Sequence, residues 1–136
     1  MVFSGPSEVS SLTQSETINR LETIFWGTRV KLVEDQGWGL KVRNVQIGTS
    51  NSIAIPIPGM LGGTDENMVP MVFSDKIKDY FISKGAISER ELGWGIAWVA
   101  AHEFGHSVGL LHRNEPGLVM TTYNPVEVML GPIRWD

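Results

Sequence analysis

The chain has 136 residues, of which 42% are hydrophobic and 19% are charged, proportions that exclude a disordered or fibrous protein. Its formal net charge of −4 argues against a basic surface for nucleic acid or anionic lipid. It contains no cysteine, which excludes disulfides, thiolate metal ligands and cysteine nucleophiles.

The length favours a single domain over residues 1–136, large enough to bury a core. No apolar run approaches the roughly 20 residues of a membrane span. The first eleven residues, MVFSGPSEVSS, show no signal-peptide pattern. We therefore expect a monomer without a nucleic-acid or membrane partner, while the cell compartment stays open.

The first predicted elements are a strand stub at Val2–Phe3 and a long helix. Thr13-Gln-Ser-Glu16 has the spacing of a capping box, and Gly27 is a suitable helix end. The apolar stripe between them predicts the buried face of the helix. It consists of Ile18, Leu21, Ile24 and Phe25.

Several strands are predicted next. Val30 and Leu32 alternate with charged residues, and Asp35–Gly39 turns the chain into a strand over Leu40–Ile47 with a bulge near Asn44. Ile53–Pro58 alternates cleanly but contains two prolines, which a sheet tolerates only at its edge. Val69–Phe73 predicts a further short strand.

The second half of the chain predicts two more helices. Ser74 can cap a short helix that carries Ile77, Tyr80 and Phe81 and closes at Gly85. Ser88-Glu-Arg-Glu91 is a second capping-box signal and opens a helix that runs into a cluster of histidines. The expected fold class is α+β, with a mixed sheet backed by two helices.

All three histidines of the chain fall within AAHEFGHSVGLLH, residues 100–112. His102 and His106 are four apart, so on a helix they share one face and can bind one zinc ion. His112 can join them only if the helix stops and the chain reverses, and Gly109 can adopt the left-handed conformation that this requires.

Three histidine ligands leave a fourth zinc position for water, which is typical of a catalytic site rather than a structural one. Zinc lowers the pKa of that water and polarises a carbonyl group. Glu103 lies beside the first histidine but further round the helix, so it is the candidate general base rather than a ligand.

HEFGHSVGLLH resembles the long zinc motif of the metzincin metallopeptidases, and VAAHEFGHSVGLLH looks most like the matrixin branch. The resemblance implies a twisted mixed sheet and a cleft whose lower edge strand, here Ile53–Pro58, binds substrate in extended form. It also implies a short C-terminal subdomain with a methionine turn beneath the zinc, here at Met120. It slightly favours a secreted or extracytoplasmic protein.

Some features of matrixins have no counterpart here. No histidines remain for a second, structural zinc, and because the sequence has no cysteine we expect no inhibitory propeptide with a zinc-binding cysteine. Calcium binding near Gly62–Glu66 stays open. Tyr123 could line the pocket for the residue after the scissile bond or stabilise the oxyanion, whereas Trp94 and Trp98 are interpreted as core residues.

The sequence therefore predicts a zinc-dependent endopeptidase that acts on peptides or proteins through a zinc-bound water. Its ligands are His102, His106 and His112, with Glu103 as general base. One alternative is an HExxH peptidase in which Glu127 replaces the third histidine. The other is a zinc-site binding module that has lost turnover.

Overall fold

The structure is a computed structural model that describes residues 2–3, 10–30, 32, 46–48, 61–64, 69–85, 88–122 and 129–135. These residues form a mixed α/β fold in which a small sheet packs against helices. None of the helices within these ranges has the length and apolar character needed to cross a membrane.

Helix α1 spans Ser11–Phe25 and begins earlier than predicted. Its N-cap is Ser10, whose hydroxyl accepts a hydrogen bond from the Thr13 amide at 3.1 Å, so the capping box predicted at Thr13–Glu16 was wrong. Thr13 is instead buried, and its hydroxyl donates to the Glu89 carbonyl at 3.4 Å. The predicted end is correct, because Gly27 follows with φ +80°.

The predicted buried stripe of α1 is confirmed at Leu21, Ile24 and Phe25, but the buried face differs from it in other positions. Ile18 is 39% exposed, whereas Thr17 and Arg20 are buried. Thr17 can be buried because its hydroxyl donates to the Thr13 carbonyl at 2.8 Å. The helix therefore turns a partly polar face inwards, which a pattern of apolar residues alone cannot reveal.

The described sheet has four strands in the order β1-β2-β4-β3. The strands are β1 (Val2–Phe3), β2 (Gln46–Gly48), β3 (Gly62–Thr64) and β4 (Pro70–Phe73). β1, β2 and β4 are parallel, and β3 pairs antiparallel with β4, with Gly62 opposite Val72. The strand predicted at Val69–Phe73 is thus confirmed, and the sheet is mixed as expected.

The described sheet has β1 at one edge and β3 at the other, and β3 is a segment for which no strand was predicted. The predicted edge strand, Ile53–Pro58, lies outside the described residues, as do Asp35–Gly39 and the expected bulge near Asn44. Val30 and Leu32 pack against the core without belonging to a described strand.

Two helices follow β4. Helix α2 spans Ser74–Ser83 and ends before Gly85, as predicted, but Phe73 occupies the N-cap and makes no side-chain capping bond, so the predicted Ser74 cap was wrong. Helix α3 spans Glu89–Ser107. Its predicted capping box is confirmed by reciprocal hydrogen bonds between Ser88 and Glu91.

Helix α3 is the centre of the molecule. It packs along α1 and against β3, β4 and α2, and its residues from Ile96 to Ala101 are all buried. Burial of this stretch on all sides anchors the helix, so its C-terminal end is held in a defined position. The histidine cluster lies at that end.

Candidate metal centre

Helix α3 stops in a Schellman turn, a common helix ending in which two amide groups satisfy the last carbonyls. The Leu110 N–H donates to the Gly105 carbonyl at 2.9 Å, and the Gly109 N–H donates to the His106 carbonyl at 3.0 Å. Gly109 has φ +95°, a conformation that disfavours a residue with a Cβ. The predicted chain reversal at Gly109 is therefore confirmed.

The reversal brings the three imidazoles together through the same ring atom. The Nε2 of His106 lies 3.1 Å from that of His102 and 3.0 Å from that of His112, and the remaining pair is 3.3 Å apart. Within the described ranges this is the group of side chains that could hold a metal ion.

Backbone carbonyls determine which nitrogen of two rings carries the proton. The Nδ1 of His102 lies 2.7 Å from the Val119 carbonyl, and the Nδ1 of His106 lies 2.9 Å from the Leu110 carbonyl. A carbonyl can only accept, so each Nδ1 is the protonated donor and each Nε2 of a neutral ring has a free lone pair.

These distances fit a tetrahedral zinc ion. With Zn–N bonds of about 2.0–2.1 Å, tetrahedral geometry places two ligand nitrogens about 3.3–3.4 Å apart. Two Nε2 lone pairs at 3.1 Å have no proton between them in the neutral rings, so a cation is the natural partner for both. The Nδ1–H bonds to carbonyls also match the usual outer partners of metal-binding histidines.

His102 is the most buried member of the cluster. It is 7% exposed, and its ring stacks on Trp98, one helical turn earlier, at 5.0 Å between centroids. Burial lowers the pKa of His102 to about 4, against a smaller opposing effect of the Val119 hydrogen bond. Burial also lowers the pKa of His112, with a further contribution from His106. Both shifts favour the neutral form that a metal requires.

Glu103 is buried beneath the edge strand. Its exposure is 8%, and a Cβ placed on Gly62 of β3 would lie 3.2 Å from the Glu103 Cγ. The same Cβ would lie 2.7 Å from the Val99 side chain. The absence of a side chain at Gly62 therefore lets α3 and the Glu103 side chain approach β3 closely.

Met120 packs against the helix between two of the histidines. A Cβ on Gly105 would overlap the Met120 thioether and lie 3.2 Å from its methyl carbon. Met120 is 3% exposed, and its carbonyl accepts the Arg113 N–H at 2.8 Å. The methionine thus occupies space that Gly105 leaves open beside the cluster.

Sequence reasoning grouped the three histidines but missed their surroundings. The Val119 carbonyl and Gly62 come from segments far from the histidine motif in the sequence. The stacking of Trp98 on His102 depends on the side-chain rotamers, which the sequence does not specify. Trp98 is buried as expected, although its indole N–H has no hydrogen-bond partner in the described structure. Tyr123 and Glu127 lie outside the described residues, as do Asp65 and Glu66 of the possible calcium loop.

The family model described as matrixin matches residues 21–130 of the chain. The match covers the end of helix α1 from Leu21 onwards, the described strands β2 to β4, both later helices and the histidine cluster. No curated protein and no solved structure matches significantly.

Proposed function

Because the chain belongs to the matrixin family of peptidases, we propose that it is a zinc-dependent endopeptidase that hydrolyses peptide bonds in peptides or proteins. The observation that carries this proposal is the convergence of three Nε2 atoms at 3.0–3.3 Å beside a buried glutamate. Matrixins are generally extracellular, so an extracytoplasmic location for a single-domain protein is part of the proposal.

His102, His106 and His112 would hold the zinc ion through Nε2. Bound zinc supplies Lewis acidity, which polarises a peptide carbonyl and makes water acidic enough to attack near neutral pH. The fixed Nδ1–H bonds of the first two histidines keep their rings oriented without a bound metal. Little reorganisation is then needed when the ion binds.

Glu103 would act as the general base. Its carboxylate takes a proton from the attacking water as the new bond to the carbonyl carbon forms. It then delivers that proton to the leaving nitrogen as the peptide C–N bond breaks. Its position beside His102 and beneath β3 supports this role, because a base must lie between the metal ligands and the strand that holds the substrate.

The edge strand β3 would align the substrate by adding it to the sheet as a further strand. The Phe73 N–H donates to the Leu61 carbonyl at 3.0 Å, which makes that pair a hydrogen-bonded one. In an antiparallel ladder the next pair alternates, so the N–H and C=O of Gly62 point away from β4. These are the groups that an extended peptide would meet directly beside Glu103.

Met120 would form the packing base of the site, as the methionine turn does in the family. A thioether is a poor ligand for zinc beside three imidazoles. The contact of Met120 with Gly105 supports a packing role, because it lies between His102 and His106 on the helix.

A metal and cleavage assay tests the proposed function. The purified protein should bind about one zinc ion per chain and cleave members of a mixed-peptide library. A chelator should abolish cleavage, and added zinc should restore it. Zinc binding without chelator-sensitive cleavage of any peptide would instead support the alternative of a binding module.

The third ligand is tested by comparing two substitutions. His112→Ala should lose zinc and Glu127→Ala should retain it, because the His112 Nε2 lies 3.0 Å from that of His106. The opposite pattern would assign the third ligand to Glu127.

A further inference from the structure

Residues 129–135, called the C-terminal strap from here on, lie between helix α1 and the loop that supports His102. One end of the strap is attached by Arg20, whose guanidinium donates to the carbonyls of Met129, at 3.3 Å, and Gly131. Arg20 is only 8% exposed. Burying a guanidinium is costly, and the Nε of Arg20 has no hydrogen-bond partner in the described structure, so the two bonds to the strap are needed to offset that cost.

The other end of the strap is attached by Trp135. Its indole N–H donates to the Ile24 carbonyl at 3.0 Å, and its ring lies 5.2 Å from that of Phe25. Phe25 in turn makes an edge contact of 5.4 Å with Phe104, the residue that follows Glu103. Both ends of the strap are therefore fixed to α1, which itself packs along α3.

Arg134, which directly precedes Trp135, pairs with the loop beneath the histidines. The Arg134 N–H donates to the Gly117 carbonyl at 3.0 Å, and the Arg134 carbonyl accepts the Val119 N–H at 2.9 Å. Val119 is fully buried, and its own carbonyl accepts the Nδ1–H of His102 at 2.7 Å. A continuous series of hydrogen bonds thus joins α1, the strap, Val119 and the most buried histidine.

We infer that the C-terminal strap is a positioning element for His102, which acts through the backbone of Val119. The inference rests on the proposed metal centre. The inference predicts different behaviour for His102 and His106. The acceptor for His106 is the Leu110 carbonyl in the Schellman turn, and no hydrogen bond joins Leu110 to the strap among the described residues. Loosening the strap should therefore disturb His102 and leave the His106 hydrogen bond in place.

The test compares two substitutions at Arg134. Arg134→Pro removes the N–H that bonds to Gly117 but keeps the carbonyl that bonds to Val119. Arg134→Ala keeps both backbone groups and removes a side chain that is 58% exposed and paired with Glu115 at 3.8 Å. Zinc affinity, measured by competition with a chromophoric chelator, should fall by about 10- to 100-fold in the proline variant, as for other outer partners of metal ligands. The alanine variant should bind as wild type does.

A second measurement uses the metal-free protein. Nitrogen-15 NMR of the imidazole rings should show a fixed Nδ1–H tautomer for both His102 and His106 in the wild type. In Arg134→Pro the His102 signal should change towards a tautomer mixture, and the His106 signal should stay unchanged. A general loss of folding would alter both rings, so this pattern identifies a positioning role.

Trp135→Phe provides the test if the proline variant does not fold. It keeps an aromatic ring beside Phe25 and removes only the indole N–H bond to Ile24. We expect a smaller change of zinc affinity and of the His102 tautomer in the same direction. Folded variants with wild-type zinc affinity and an unchanged His102 tautomer would overturn the inference. Wild-type protein that binds no zinc would contradict the proposed function, while the tautomer measurement would still test the strap.

Discussion

Glu103 follows His102 in the chain but lies about 100° further round helix α3, against Gly62 of the edge strand. One residue of separation is thus enough to place the proposed ligand and the proposed general base on different sides of the helix. The histidine faces the other imidazoles, and the carboxylate-bearing side chain packs beneath β3, where a substrate would be aligned.

Glu103→Gln should keep the fold and the zinc while peptide cleavage falls by about 10²–10⁴-fold, because the amide cannot accept a proton from water. Its similar shape fits the same space beneath Gly62. Zinc content and steady-state cleavage of a fluorogenic peptide check this, with His102→Gln as the control that should lose the metal. Cleavage at the wild-type rate would remove Glu103 from the mechanism.

Gly105→Ala should destabilise the protein by about 1–3 kcal/mol, because its methyl group would overlap the buried Met120 thioether. Urea unfolding of the single variants and of Gly105→Ala with Met120→Ala measures whether the two positions are coupled. If the contact is responsible, the double variant should be more stable than the sum of the single effects predicts. Additive effects would show that the methionine does not limit the size of residue 105.

At the scale of elements, the end of α3 brings the three candidate metal ligands together. The helix places two histidines on one face, and the Schellman turn returns the chain so that the third can meet them. The turn also supplies the Leu110 carbonyl that orients His106. A helix ending is therefore part of the candidate site and more than a boundary.

Gly109→Ala should weaken zinc binding about 10-fold or more, although a Cβ at residue 109 would meet nothing within 4 Å. The cause is backbone strain at φ +95°, of about 1–2 kcal/mol, which would shift the Leu110 carbonyl and His112. Zinc competition titrations measure the loss.

Gly85→Ala is the matched control for Gly109→Ala. Gly85 also has a positive φ of +81° and open space around its Cβ position, but it ends α2. Both variants should lose similar stability in thermal unfolding, and only Gly109→Ala should lose zinc affinity. Equal zinc affinity in the two variants would contradict a role for this turn in the site.

At the scale of the whole molecule, burial of His102 couples folding to pH. The pKa of His102 is about 4 in the folded protein, because the ring is buried, and returns to the ordinary value of 6.5 when the chain unfolds. Above pH 6.5 the ring is neutral in both states. As the pH falls from 6.5 to about 4, the unfolded state takes up a proton that the folded state does not.

The metal-free protein should therefore lose about 3 kcal/mol of stability from this group between pH 6.5 and 4. Urea unfolding in the presence of chelator measures this dependence on pH, and His102→Gln should show a correspondingly flatter one. Zinc should raise the midpoint of thermal unfolding near neutral pH, and the effect should vanish in acid because protons and metal compete for Nε2. An identical pH dependence in the two proteins would contradict the lowered pKa.

Local patterns in the sequence were sufficient to predict the start of α3, the helix-ending glycines and the grouping of the histidines. The capping box at Ser88–Glu91 lies within four residues, and the glycines that end the helices act through their own backbone conformation. The histidine motif spans eleven residues of a helix and its turn, so helical geometry together with a chain reversal at Gly109 predicts that the three rings meet. These features do not depend on distant parts of the chain.

Tertiary structure decided the features that join distant segments. Ser10 rather than Thr13 caps α1, because the Thr13 hydroxyl is buried against α3. Gly62 belongs to an edge strand above Glu103, although the two residues are 41 positions apart in the chain. Val119 orients His102, and the C-terminal strap holds Val119. The meeting of the three histidines was predictable because one helix end determines their spacing. Their orientation was not, since it depends on carbonyls and close contacts that exist only once the chain has folded.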